Sequence, residues 1–252
     1  MPSAEPRLRS GNARDALTHI PMAEVFLQAT RLSKFYGDRP VLAAIDLTLH
    51  AGQAALVIGR NGVGKSTLIR LLAGLSRPGG GRLSLFGRDS IDLAPRDLRR
   101  LGVLLHQSLL YPNLTARENL EFYSELYGVK DPSGNAATWL ERVGLERYAE
   151  RPARALSRGM EQRLGLARAM VATPDLVLLD EPFAALDGEG AALVLGLIQA
   201  AVMRGAAVLL TAHSALEFEG LELGYFRLEG GRLEAAKEDA RRAPLLTRLR
   251  KL

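Results

Sequence analysis

The chain contains no cysteine. That excludes a disulfide framework, a thiolate metal site and a cysteine nucleophile, and it suits a reducing compartment. It also lacks any apolar run approaching the roughly 18 residues that a membrane-spanning helix requires. The longest candidate, Ala191 to Met203, is too short, carries Gln199 and reads as a buried helix. There is no internal repeat and no low-complexity tract. Residues 1–22 are polar, arginine-bearing and interrupted by prolines. They lack the apolar centre of a signal peptide, so a flexible tail is expected there, with Met22 as an alternative start. Charge is only mildly unbalanced: 33 Lys and Arg against 28 Asp and Glu leave a net +5, spread along the chain. A nucleic-acid surface needs a clustered basic face, and no nucleic-acid partner is expected. What composition does permit is a sizeable core. Hydrophobic residues make up 47% of the 252, enough for one large domain or a domain with a subdomain.

The most informative stretch is Gly59-Arg-Asn-Gly-Val-Gly-Lys-Ser-Thr67. Gly59, Gly64, Lys65 and Ser66 fall at the fixed positions of a phosphate-binding loop. Glycines let backbone N–H groups approach a polyphosphate, Lys65 supplies a point charge near the β- and γ-phosphates, and Ser66 offers a hydroxyl to Mg²⁺. The apolar run Ala54–Ile58 precedes the loop and a helix-compatible run from Ser66 follows it, which is the strand–loop–helix setting the motif needs. Gly59, Asn61, Gly62, Gly64, Lys65, Ser66 and Thr67 are therefore the candidate contacts to ATP.

Four β-prone apolar runs each stop at a polar residue: Ala54–Ile58 at Gly59, Leu101–His106 at Gln107, Leu176–Leu179 at Asp180 and Glu181, and Ala206–Thr211 near His213. Continuous rather than alternating apolar runs indicate strands buried on both faces, as in parallel sheets. Helical patterns lie between them, so the expected class is α/β with right-handed crossovers. Ligands of such sheets bind beyond the carboxyl ends of the strands, which would gather all four polar ends at one edge. Phe26 to Ala29 and Val41 to Leu49 alternate more, are separated by Tyr36-Gly-Asp, and read as shorter antiparallel strands covering one side. Residues from about 97 to 170 read as an inserted helical subdomain. Within it Leu120, Tyr123, Leu126 and Tyr127 are expected on one face, and Gly128, Pro132 and Gly134 as breaks.

Asp180 and Glu181 directly follow a buried strand. Asp180 can hold Mg²⁺ through its water shell, and Glu181 can orient and deprotonate an attacking water. Leu156-Ser-Arg-Gly-Met160 precedes a further apolar-periodic helix, with Ser157 as its N-cap.

These motifs together resemble the ATP-binding subunits of ABC transporters, over about residues 24–232. The signature of that family reads Leu-Ser-Gly-Gly-Gln; Ser157 and Gly159 match it, while Arg158 and Met160 depart from it. The resemblance implies a P-loop NTPase core with a mainly parallel sheet, an antiparallel β subdomain and the inserted helical subdomain. It implies ATP hydrolysis with Mg²⁺. It makes Tyr36 the aromatic that stacks on adenine and Gln107 a Mg²⁺ ligand beside Ser66 and Asp180. Asp187 becomes a dimer-seam residue and His213 a contact to the γ-phosphate. Ser157 and Gly159 would reach a nucleotide held by a second copy in an ATP-sandwich dimer. Integral membrane permease subunits are the other implied partners, docking near Tyr111 to Thr115, with the chain peripheral on the cytoplasmic face of the cell membrane. The stretch Leu105 to Leu120, with Leu156 to Met160, is most similar to heme exporter ATPases of cytochrome c maturation; drug, polysaccharide and lipid exporters share parts of it. Residues 233–252 read as a basic amphipathic C-terminal segment, in which Arg241 to Leu252 forms either a short helix at the membrane surface or, more plainly, a helix packed on the domain or a solvated tail.

Overall fold

Val25–Tyr36 (β1) and Arg39–His50 (β2) form an antiparallel hairpin that turns at Gly37 and Asp38. Both strands are longer than the alternation suggested, because bulges break the pairing register and with it the period-two pattern. Ala54–Ile58 (β3) is buried at every position and leads through the phosphate loop into Lys65–Leu72 (α1). Gly80–Leu85 (β4) and Arg88–Asp89 (β5) complete a four-stranded sheet of order β2-β1-β4-β5, and the one-turn helix Pro95–Leu98 (α2) follows. The computed structural model describes residues 24–213 and 221–236. The expected N-terminal tail and residues 237–252 lie outside them.

Leu101–Leu104 (β6) opens the rest of the chain. The helices Ala116–Leu126 (α3), Pro132–Arg142 (α4) and Arg158–Met170 (α5) come next, then Leu176–Leu179 (β7), Gly188–Met203 (α6), Ala207–Ala212 (β8), Leu223–Glu229 (β9) and Arg232–Ala235 (β10). The second sheet has the order β10-β9-β3-β8-β7-β6, and all its pairings except β10–β9 are parallel.

This sheet separates two apolar cores. Leu56, Val177, Leu179, Val208 and Leu210 face α3 to α6, whereas Val57, Leu176, Leu178 and Leu209 face α1 and the antiparallel sheet. Burial on both faces is why the strands read as unbroken apolar runs. Each fully buried leucine contributes about 1.5–3 kcal/mol relative to exposure.

Local signals set the helix ends. Thr115 and Glu118 form a capping box at α3, Asp131 caps α4 ahead of Pro132, Ser157 caps α5 and Asp187 caps α6. Gly128, at φ +72°, ends the α3 region in the left-handed conformation.

Several expectations need correction. The subdomain bound of about residue 97 is too early for the helical layer itself: β6 is the edge strand of the six-stranded sheet, as the run Leu101–His106 indicates, and the long helices begin at Ala116. Leu126 is 57% exposed and leaves the face shared by Leu120 and Tyr123. Gly134 does not break a helix; it lies in the first turn of α4, where its N–H donates to Asp131. The Ala191–Met203 run forms a helix buried along one narrow stripe, Val194, Ile198 and Ala201, with Met203 exposed. Residues 233–235 belong to β10 and not to a separate amphipathic segment.

Candidate functional site

The carboxyl ends of β3, β7 and β8 lie side by side. Strand alternation then decides which side chains meet. Leu176 and Leu178 face the α1 side, and so does Asp180; Leu209 faces it, and so does Thr211. Asp180 is buried, and the fully buried Thr211 hydroxyl donates to its carboxylate at 2.7 Å. The same hydroxyl oxygen accepts from the Glu181 N–H at 3.0 Å. Thr211 thus ties the two acids to the neighbouring strand.

Glu181 sits at φ +50°, in the left-handed region that a side chain with a Cβ rarely adopts. Its conformation is over-determined: besides the Thr211 contact, its carbonyl accepts from Gln162 Nε2 at 3.1 Å and from the Ala184 N–H at 3.0 Å. Backbone held this way at a strand end is a common accompaniment of function. The result aims the Glu181 carboxylate at Lys65, with Oε1 3.1 Å from Nζ. Lys65 is itself 5% exposed, and its ammonium donates to the carbonyls of Gly59 at 2.9 Å and Arg60 at 3.3 Å.

The loop around that lysine has little freedom. Gly64, at φ +114°, precedes α1, and a Cβ there would lie 3.1 Å from Val41 Cγ1. At Gly59 a Cβ would approach the Leu228 carbonyl oxygen to 2.8 Å. A cleft of about 330 Å³ opens over the loop, lined by Tyr36, Val41, Asn61, Gly62, Gly64, Lys65, Ser66, Thr67 and Glu181. Tyr36 stands at its rim, 55% exposed, with Lys34 Nζ 5.4 Å from the ring centroid. An exposed ring beside a glycine-rich loop at a helix start is a fitting receptacle for a nucleotide base and its phosphates.

Among the described residues no group of three or more His, Asp or Glu could cage a metal ion. Mg²⁺ does not require one, since it commonly keeps several waters and binds through one or two protein oxygens plus substrate phosphates. Ser66 in the cleft and the buried Asp180 carboxylate behind it are suitable donors.

The other expected site residues lie apart from this cleft. Gln107 and His213 are exposed, at and beyond the ends of β6 and β8, and neither lines it. Ser157 and Gly159, at the start of α5, are outside it as well. Gly159 packs instead on the loop leading to Asp187, where a Cβ would lie 2.9 Å from the Ala185 carbonyl oxygen. Asp187 Oδ1 accepts from the Gly190 N–H at 2.8 Å as the cap of α6. Thr211, Val41 and Gln162 were not foreseen. Thr211 had one readable cue, a hydroxyl inside an apolar run directly before the strand's polar end.

A family model described as ABC transporter matches residues 42–184. The chain belongs to the ABC transporter family. Its ABC ATPase domain takes ATP, with Mg²⁺ as the usual ion. Among its relatives is the Nod factor export ATP-binding protein I of Cupriavidus pinatubonensis, 35% identical over 84% of this chain and 66% of that protein. The cytochrome c biogenesis ATP-binding export protein CcmA of Bradyrhizobium diazoefficiens is 36% identical over 78% of this chain and 96% of its own length. The molybdenum import ATP-binding protein ModC of Mycobacterium tuberculosis is 38% identical, and the match spans 54% of that protein. Of the solved structures, an ATP-binding subunit of an ABC transporter superposes with a TM-score of 0.78 at 28% identity, over 85% of this chain and 90% of that one. A dimeric post-hydrolysis ATP-binding cassette, MJ0796, bound to ADP and phosphate, superposes at 0.75 and 25% identity, over 83% of this chain and 98% of that one.

Proposed function

We propose that this ABC ATPase powers an exporter, with two copies closing head-to-tail around two ATP molecules beneath separate membrane subunits. The observation that carries the reading is the split of the expected site: the phosphate loop and Glu181 share one cleft, while Ser157 and Gly159 lie outside it. A second copy would bring its own Ser157 and Gly159 to the nucleotide.

Within each site the residues divide the work. Tyr36 stacks on adenine, and the loop amides from Asn61 to Thr67 cradle the phosphates. Lys65 exchanges its contact with Glu181 for the β- and γ-phosphates, which frees the carboxylate. Ser66, Gln107 and, through water, Asp180 would hold Mg²⁺, which would supply charge neutralisation on the phosphates. Glu181 then takes a proton from water as the water oxygen bonds to the γ-phosphorus and the bond to the ADP oxygen breaks. His213 contacts the γ-phosphate, and Asp187 lies at the seam. Fixed positioning and electrostatics are sufficient for phosphoryl transfer of this kind.

For the cargo, we favour heme for cytochrome c biogenesis. The Leu105–Leu120 and Leu156–Met160 stretches and the near-complete coverage of CcmA support that choice. The Nod factor and lantibiotic export relatives favour a second reading, an exporter of another substrate. No helix of the described residues is long and apolar enough to cross a membrane. The transport path would therefore belong to other subunits, with this chain peripheral on the cytoplasmic face. Affinity capture from detergent-solubilised membranes tests the assignment: cytochrome c maturation membrane proteins should co-purify. Capture of a different permease would favour the second reading, and capture of ribosomes or DNA would overturn both.

A further inference from the structure

Arg168 on α5 is 3% exposed, yet no carboxylate among the described residues pairs with it, and its Nε is buried without a partner. Burial pushes its guanidinium below the usual arginine value. Desolvating a guanidinium without a carboxylate is costly, and here the answer comes from the Tyr123 ring, 5.4 Å from Cζ, and from backbone carbonyls. What Arg168 does with its remaining donors is specific. One terminal nitrogen donates to the Val103 carbonyl at 2.7 Å and the other to the Ser108 carbonyl at 2.6 Å. These carbonyls flank Gln107.

The same face of α5 makes two further contacts to this arc. Glu161 accepts from the Ser108 hydroxyl at 2.6 Å. At Gly165 a Cβ would stand 3.0 Å from Leu104 Cδ1 and 3.4 Å from Ser108 Cβ, so the helix comes as close as a glycine permits. The chain just beyond is held by α3: Tyr123 Oη donates to the Leu109 carbonyl at 2.6 Å, and the buried Asn119 amide donates to the carbonyls of Tyr111, Leu114 and Thr115. All these bonds take the arc's backbone or Ser108, and the Gln107 side chain is left exposed.

We propose that Arg168 is a positioning residue for Gln107: its buried guanidinium fastens the chain on both sides of the glutamine to α5, the helix that carries Ser157 and Gly159 at its start. The guanidinium thus ties α5 both to the end of β6, at Val103, and to Ser108 just past the glutamine, which fixes the backbone from which Gln107 projects. The inference rests on the proposed role of Gln107 at Mg²⁺.

The test is a double-mutant cycle on affinity for a non-hydrolysable ATP analogue, measured with Mg²⁺ and with a chelator. Residues that support a metal ligand typically cost about 10- to 100-fold in metal affinity when removed. Arg168→Met should therefore leave chelator-state affinity unchanged and reduce the Mg²⁺-dependent gain as Gln107→Ala does. The double variant should be no worse than Gln107→Ala alone, since one acts through the other. Ser108→Ala, which cuts the tie to Glu161, should show the same pattern more weakly and serves if Arg168→Met does not fold. Losses that multiply in the double variant, or affinity that falls equally with and without Mg²⁺, would overturn the inference while leaving Gln107 in place. If Gln107→Ala itself leaves the Mg²⁺ gain untouched, the reading of Gln107 fails and the inference with it.

Discussion

Around Lys65 the chain's own groups answer one another: the ammonium lies on two loop carbonyls and the Glu181 carboxylate, and Thr211 holds both acids. Ser157, at the start of α5, lies outside that cleft, and among the described residues its hydroxyl only accepts from the Met160 N–H at 3.3 Å. The first region is preorganised by its own fold. The second presents a capped helix end that does not line the cleft. A site shared between two copies calls for that contrast: a complete half that binds, and a presenting half that closes on someone else's nucleotide.

The comparison can be broken most severely at Glu181. Glu181→Gln keeps shape but cannot accept the proton, and loss of a general base costs about 10²–10⁴ in rate. ATP turnover with the membrane partners present should fall by that factor while binding persists, leaving an ATP-bound dimer visible by size exclusion and absent with ADP. Near-native turnover would remove Glu181 from the mechanism.

Lys65→Ala strikes binding itself. Loss of a charge-assisted contact costs about 1.5–3 kcal/mol, or roughly ten- to hundredfold in affinity. Calorimetric titration with ATP should show it, and unchanged affinity would contradict the role of the loop. Thr211→Val separates support from contact. It strips a buried partner from Asp180 and leaves the Glu181 N–H unanswered, a cost of about 1–3 kcal/mol in stability. Chemical denaturation should detect that loss, and an unperturbed midpoint would show that Thr211 holds nothing. The smallest expected effect lies in the helical layer. Thr115→Ala removes the cap of α3 for about 1 kcal/mol and, far from the cleft, should leave ATP affinity unchanged. A parallel loss of affinity would mean that the two regions are less separate than the geometry indicates.

How far this contrast was legible in the sequence depended on burial. β3, β7 and β8 are covered on both faces, so their unbroken apolar runs and polar ends identified the sheet edge and the residues on it. β9 escaped notice although it pairs with β3, because Gly224, Tyr225, Phe226 and Arg227 are only partly buried or exposed and interrupt the pattern. Arg168 was invisible for a different reason. Between Ala167 and Ala169 it reads as an ordinary helix-surface cation, and only tertiary packing turns it inward. Likewise Ser157 announced a helix start but not which way the helix faces. Local chemistry is written locally; which surface meets which cleft is not.

The most direct test of the shared site mixes two crippled copies. In a Glu181→Gln background, copies carrying Lys65→Ala should fail to associate with ATP because they bind it poorly. Copies carrying Ser157→Arg should bind ATP but fail to close. Mixed, they contain one intact pairing: the phosphate loop of the second with the Ser157 of the first. Light scattering with Mg²⁺ and ATP should show dimers in the mixture that neither copy forms alone. A mixture that stays monomeric, while the Glu181→Gln parent dimerises in the same buffer, would contradict the account.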